Sequence, residues 1–341
     1  MDEREKMNTD SNLLTSILAR LVRIAPSKAT LPVLECVVFS KNAHAVWATD
    51  LESTLWLPLD VDFDLCVPAR LLADVAKNAQ GAIELTADES TLVVKAGKSR
   101  SEIRGIPIGD APMSPVLPDE GWQNFELLAS IPKVAFAALK DVSRPTLQGV
   151  LVGQRGMAAA DGVRLAAVGE IAGESVIVPA SALGQVPALF PDGCEFCIGL
   201  SRIWFRGNGV VFTSQLIEGN YPNVDQIIPK KCEVEFTFKA KDVLRALNTV
   251  LVLSDQTSIV TFSPLPDMIR INAHNENGEA FAEFAAKGCG FEEFALNGRF
   301  LRDAMAVMEN VTMGLNSPNQ PVLLTEGDYK HVIMPMAMRG K

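Results

Sequence analysis

The sequence predicts an α+β fold made of three tandem copies of one unit, each with two helices packed on antiparallel sheets. Three observations carry this. A short signature recurs as VPARLLADVAK from Val67, VPASALGQVPALF from Val178 and a looser LNGRFLRDAMAVME from Leu296, spaced by 111 and then 118 residues. Each copy follows a strand-like run (Asp62–Cys66, Ser175–Ile177, Phe291–Ala295) and has apolar residues at helical spacing. Each is also preceded by a second amphipathic segment: Leu13–Arg23, Lys133–Arg144 and Lys241–Leu251. A period of about 110 residues is domain-sized and far longer than a solenoid repeat. It sets domains at 1–119, 120–230 and 231–341.

In chain order, Met1–Ser11 is charged and polar, with no apolar run to make a secretory leader. A helix is expected over 12–23, then extended runs at Leu34–Phe39, a polar turn at Ala48–Glu52, a helix over 69–79 and a strand at Thr91–Lys95. The second unit repeats this with a helix over 132–144, Gly149–Val152, the turn Ala159–Arg164, a helix over 180–190 and Arg202–Arg206. The third gives helices over 239–250 and 297–309, with extended runs at Ser258–Phe262, Asn272–Phe284 and Pro321–Thr325. Between the second and third units lies Gln215–Lys231. Pro222 and Pro229 exclude a helix or central strand through it. Yet Tyr221, Val224, Ile227 and Ile228 make it too apolar for a spacer. It either packs down between two domains or lines a groove.

No stretch of about 18 uninterrupted apolar residues exists, so no membrane span is expected. Six scattered cysteines in a chain of 341 residues indicate free thiols and a cytoplasmic protein. The net charge of −10 argues against a nucleic-acid partner, but its distribution reverses that. The six predicted helices hold 12 basic and 5 acidic residues, so the remainder is strongly acidic. Lys133, Lys140 and Arg144 share a helical stripe, as do Arg70 with Lys77 and Lys241 with Arg245. One such face is ordinarily just solvated. Recurrence suits a polyanion held by its phosphates, without sequence reading and with strong salt dependence.

Catalytic chemistry is absent from the pattern. Cys194 and Cys197 form a lone CxxC with no second pair, and the three histidines have no metal spacing. No P-loop, GxSxG or HExxH occurs. The expectation is a non-enzyme with no metal and no cofactor.

The segments ATLPVLECVVF (Ala29–Phe39), VPARLLADVAK, GKSRSEIRGIPIGDAP (Gly97–Pro112), RPTLQGVLV (Arg144–Val152), ADGVRLAAV (Ala160–Val168), LIEGNYPNVDQIIP (Leu216–Pro229) and VIMPM (Val332–Met336) resemble, in this order, the bacterial DNA polymerase III β subunit, the replicative sliding clamp. That resemblance implies three tandem copies of the DNA-clamp fold. It also implies a head-to-tail homodimer ring around double-stranded DNA, with replicative polymerase, clamp loader and other clamp-binding peptides as partners. DNA contacts would fall to Lys28 and Arg70, joined by Lys77, Lys140, Lys241, Arg245 and Arg302 from the helix pattern. The linker question resolves into a peptide groove of Leu147, Gly162, Val163, Leu165, Pro222, Ile227, Val332, Met334, Pro335 and Met336, rimmed by Arg144 and Arg164. Methionine-rich surfaces adapt to varied apolar anchors, whereas a buried terminal strand is the plainer account of the same residues. The dimer joint would set Lys98, Arg100 and Ile103 of one chain against Val252, Leu253, Glu279 and Glu283 of the other. Four features depart from the family: a polar Met1–Ser11 stands where a first strand is usual, so its pairing is in question; Val163 stands where histidine is common; Val224, Asp225 and Gln226 replace a commonly aromatic and basic stretch; and Ala337–Lys341 trail the MPM motif. The alternative is a clamp paralogue that binds peptides without closing a ring.

Overall fold

The computed structural model describes residues 5–112, 116–171, 173–288 and 290–338. The chain divides into two compact units, 1–125 with 185–216, and 126–184 with 217–341.

In the first unit an eight-stranded antiparallel sheet runs in the order Leu65–Pro68, Cys36–Ser40, Ala45–Thr49, Ser53–Pro58, Val210–Gln215, Arg202–Gly207, Glu195–Ile198, Gln123–Asn124. A four-stranded sheet orders Glu5–Asp10, Ala82–Ala87, Thr91–Ala96 and Ser99–Arg104. Two helices, Ser11–Leu21 and Ala69–Lys77, pack together. The first starts where Asp10 accepts the Asn12 and Leu13 N–H groups, and it buries Leu14, Ile17, Leu18 and Leu21 on one stripe.

The second unit repeats the plan. Its eight strands are ordered Val176–Pro179, Gly149–Val152, Arg155–Ala160, Arg164–Glu170, Tyr329–Ile333, Val322–Glu326, Asn310–Leu315, Val234–Lys239. Its four-stranded sheet is Gly278–Ala285, Met268–Asn275, Ile259–Leu265, Phe294–Asn297. The helices Ala240–Val250 and Gly298–Met305 pack together, the latter capped by Asn297.

The repeat expected from the signature is visible in this topology. Leu65–Pro68, Val176–Pro179 and Phe294–Asn297, the strands that end in the signature, each pair antiparallel with the first strand of a three-stranded meander. Both eight-stranded sheets join the meander of one repeat to the closing strands of the next, through Ser53–Pro58 with Val210–Gln215 and Arg164–Glu170 with Tyr329–Ile333.

Three local expectations change. The helix predicted over 132–144 is only Ile131–Val134 followed by a 3-10 turn, Ala135–Ala137, and Ala138 is already extended. Asp141 accepts the Ser143 N–H in an Asx turn, and Pro145 pushes Arg144 to φ −134°, so no helix can reach Arg144. The stripe of Lys133, Lys140 and Arg144 therefore does not exist, and Val142 lies in solvent. The helix predicted over 180–190 is two short turns, Ala180–Leu183 and Val186–Leu189. Finally, the polar opening segment does form a strand, Glu5–Asp10, paired with Ala82–Ala87. An edge strand needs only one inward contact, supplied by Met7 opposite Leu85. Met1–Arg4 and Cys289, the sixth thiol, lie outside the described residues.

Candidate partner groove, basic helix faces and sheet edges

The linker packs down. Along Arg164–Glu170 the side chains alternate between faces, so Leu165 and Ala167 point to one side and Arg164 and Ala166 to the other. The first side carries a cluster of Ala158, Ala160, Leu165, Ala167, Val224 and Val332, with Tyr221, Ile227 and Ile228 laid over it. Tyr221 pins this strap: its hydroxyl accepts the Ala160 N–H at 2.9 Å and donates to the Gly149 carbonyl at 3.4 Å. Burial pushes that phenol up to about 12. Gly219 sits at φ +131° with an added Cβ 2.6 Å from Thr146 Cγ2, so the turn there needs glycine. A cleft of about 760 Å³ opens beside the strap, with Leu151, Ala167, Tyr221 and Ile228 in its wall.

The strand Arg155–Ala160 leads into the turn Asp161–Arg164. Asp161 Oδ1 accepts the N–H groups of Val163 and Arg164 at 3.0 and 2.9 Å, and Gly162 takes φ +97°. The Val163 carbonyl accepts the Met334 N–H at 2.9 Å. Val163 and Met334 are 46% and 40% exposed, so the methionine segment is not a buried strand. The strand ends at Ile333, and Pro335 and Met336 run on half-buried, with the Met336 N–H donated to the Ala295 carbonyl. The structure thus groups Leu165 and Val332 under the strap's Ile227, and Val163 is bonded to Met334. Leu147 is buried in the turn Pro145–Gln148, next to the strap's Gly219 through Thr146, while Pro222 is exposed. Arg144 is exposed, with Nη1 3.3 Å from a Cβ built on Gly162.

Arg164 is not a rim residue. Its side chain is 7% exposed and lies on the opposite face of the sheet. Nε donates to Asp161 Oδ2 at 2.9 Å, Nη1 to Asp303 Oδ2 at 2.8 Å, and Nη2 to the Phe136 carbonyl at 3.1 Å. The guanidinium stacks over Phe300 and Phe136, 4.3 and 5.4 Å from their centroids. A fork of five fixed donors suits this dry, many-partnered position, which an ammonium could not fill. His331 stacks on Phe136 in the same layer, with Nε2 unpartnered. Burial, then the Arg164 charge, pull its imidazole down to about 3, so it is neutral.

Most of the basic residues keep their helical placement. Arg70 and Lys77 are exposed on Ala69–Lys77, Lys241 and Arg245 on Ala240–Val250, and Arg302 on Gly298–Met305. Lys28 is exposed in a loop, and Lys140 is exposed outside any helix.

Each four-stranded sheet has an edge strand that pairs on one side only among the described residues: Ser99–Arg104 and Gly278–Ala285. Arg100 is exposed on the first, beside Glu102 at 2.8 Å, and Lys98 is exposed in the turn that leads into it. Ile103 is buried against its own unit, which leaves only its backbone for an edge. On the second, Glu279 is exposed, and Glu283 accepts from Arg270 at 2.7 Å. Val252 is 77% exposed and Leu253 half-buried.

Two family profiles match the chain: the central domain of the DNA polymerase III beta subunit over residues 123–223, and its C-terminal domain over 225–337. Together they span well over half of it. The chain belongs to the DNA polymerase III beta-subunit family. Relatives agree along the whole length. The beta sliding clamp of Pseudomonas putida is 27% identical, covering 98% of this chain and 99% of that protein. The Synechocystis beta sliding clamp is 28% identical, covering 96% and 97%. Among solved structures, the Pseudomonas aeruginosa sliding clamp bound to griselimycin superposes with a TM-score of 0.87 at 24% identity, covering 98% of this chain and all of that one. The Bacillus subtilis clamp gives 0.89 at 19% identity, covering 99% of this chain and all of that one. At these identities the superpositions speak for the sliding-clamp fold. Clamps are non-catalytic processivity factors of DNA replication, and this one is not an enzyme.

Within the clamp, sequence reasoning missed four side chains. Asp303 and Phe300 hold Arg164, but their helix reads simply as amphipathic. Arg270 and Phe281 cover the Gly278–Ala285 edge, with the guanidinium 4.9 Å over a ring that is 61% exposed. A signal for Phe281 existed. It and Phe284 sit at opposite phases of a period-two strand, so both cannot be core.

Proposed function

We propose that two copies of this chain close head to tail into a ring around duplex DNA, with three clamp domains per copy at 1–119, 120–230 and 231–341. One observation supports the ring. In both eight-stranded sheets the last strand of a meander pairs with the last strand of the following repeat. Gly278–Ala285 and Ser99–Arg104 hold those same repeat positions and end in open edges. Pairing them between chains completes the rule and removes both hazardous edges. The register carries over from Val211 opposite Trp56 and Lys330 opposite Ala167. It sets Arg100 across from Phe281 and Lys98 across from Glu283, a cation over an aromatic ring and an opposite-charge pair.

Lys28, Arg70, Lys77, Lys140, Lys241, Arg245 and Arg302 then serve as phosphate contacts, weak enough singly to permit sliding. The groove around Val163, Leu165, Ile227, Val332 and Met334 takes short apolar-anchored peptides of the replicative polymerase, the clamp loader and other partners, in the cytoplasm. Griselimycin, seen bound to the Pseudomonas aeruginosa clamp, is the test ligand we assign to this groove.

Small-angle scattering with native mass spectrometry tests the ring. The expected species has twice the 36.8 kDa chain mass and a central hole. A monomer that still binds griselimycin at every concentration would leave only the peptide-binding paralogue. Closed rings should stay on nicked circular DNA and fall off once it is linearised. Met334→Ala should weaken griselimycin binding about tenfold, and unchanged affinity would remove the groove.

A further inference from the structure

We propose that Asp303, on the helix that carries Arg299 and Arg302, is a positioning residue for the groove, acting through Arg164. This rests on the groove reading above. A continuous line of hydrogen bonds crosses the sheet. Asp303 Oδ2 accepts from Arg164 Nη1 at 2.8 Å, and Arg164 Nε donates to Asp161 Oδ2 at 2.9 Å. Asp161 Oδ1 accepts the Val163 N–H at 3.0 Å, and the Val163 carbonyl accepts the Met334 N–H at 2.9 Å. The line begins on a basic helix face and ends on the exposed groove wall.

The turn does not need Arg164 for its own shape. The matching turn of the first repeat has Asp50 accepting the Glu52 and Ser53 N–H groups at 3.0 and 2.6 Å, with a serine in the position of Arg164. The guanidinium therefore adds something else: it ties the turn to the helix Gly298–Met305 and to the Phe136 carbonyl. Asp303, 41% exposed, is the partner solvent can reach, whereas Asp161 is 10% exposed within its turn. If the Asp303 charge is removed, Nη1 becomes a buried cationic donor facing a weaker acceptor. The fork then turns toward Asp161 and loosens the grip of that carboxylate on Val163.

The test uses the full chain, with griselimycin binding and hydrogen exchange read by mass spectrometry. The variants are Asp303→Asn, Asp303→Glu, Arg299→Ala and Met334→Ala. Asp303→Asn should weaken binding about tenfold and speed exchange over 161–165 and 333–336, with the melting temperature little changed. Asp303→Glu should recover most of the affinity. Arg299→Ala, exposed on the same helix and outside the groove, should alter neither readout. Asp303→Asn binding within about twofold of the unmutated protein, while Met334→Ala loses it, would overturn the positioning role and keep the groove. Exchange that rises over the whole chain in Asp303→Asn would overturn it as general destabilisation. If the unmutated protein does not bind griselimycin, the groove assignment fails instead. The exchange pattern alone then decides the link from Asp303 to Val163.

Discussion

The two strand junctions, one in each unit, share a backbone plan and differ in what they leave open. Asp50-Leu51-Glu52-Ser53 and Asp161-Gly162-Val163-Arg164 are the same Asx turn, closed in both by an N–H to carbonyl bond of 3.2 Å from the aspartate to the fourth residue. At the first junction Trp56 stacks on Trp204 at 6.1 Å, above a cluster with Trp47, Cys36 and Cys66. The Leu51 and Glu52 carbonyls are clasped by Gln215 and Arg202. At the second, Ala158, Ala160 and Ala167 replace that aromatic bulk, and the strap with Ile227 and Ile228 settles over them. Large rings on the sheet close a junction. Small side chains under a separate segment leave a groove whose wall is Val163 and Met334. A binding surface here is thus a matter of side-chain volume on a repeated frame.

Substitutions can break this contrast. The largest effect is expected at the fourth turn position. Arg164→Ala strands Asp161 and empties a buried site, and should cost about 3–5 kcal/mol in urea unfolding. Ser53→Ala at the matching place should cost about 1 kcal/mol or less. Equal costs would mean that the two junctions are held alike. Next comes a pH effect confined to the second junction. His331 is held near 3 in the folded chain against an ordinary value near 6.5. Below pH 6.5 the unfolded chain binds a proton that the folded one refuses. Stability should therefore fall with pH toward 3, by about 1.4 kcal/mol per pH unit from this group. His331→Leu should flatten the profile below pH 6.5 and leave it unchanged above. The smallest effects test the second turn position. Leu51 sits at φ +77°, where Gly162 sits at +97°. Leu51→Gly should be neutral to slightly stabilising, and Gly162→Ala should cost about 1 kcal/mol in the same unfolding assay.

The legible parts of the fold are those with period or repetition. The threefold signature announces three meanders and the helices that follow them, and helical spacing puts Arg70, Lys77, Lys241 and Arg245 in solvent, where they are found. The spacing from Lys133 to Arg144 misleads because turn chemistry is stronger there. The apolar residues Phe136, Leu139 and Val142 fit a helix, but Asp141, Ser143 and Pro145 act through local bonds that periodicity ignores. Arg164 falls at the expected turn but on the opposite face, since a charge in a sequence reads as exposed until Asp161, Asp303 and Phe136 are seen around it. Met7 shows the opposite case, one apolar residue sufficing to dock a strand that composition reads as a tail.

The alanine floor beneath the strap has a consequence for divergence. Ala158, Ala160 and Ala167 put only methyl groups on the floor of the recess. Single-nucleotide changes from alanine to valine, each adding two carbons at one point of the floor, can therefore shift which ligands a lineage admits, while the scaffold around them stays as it is.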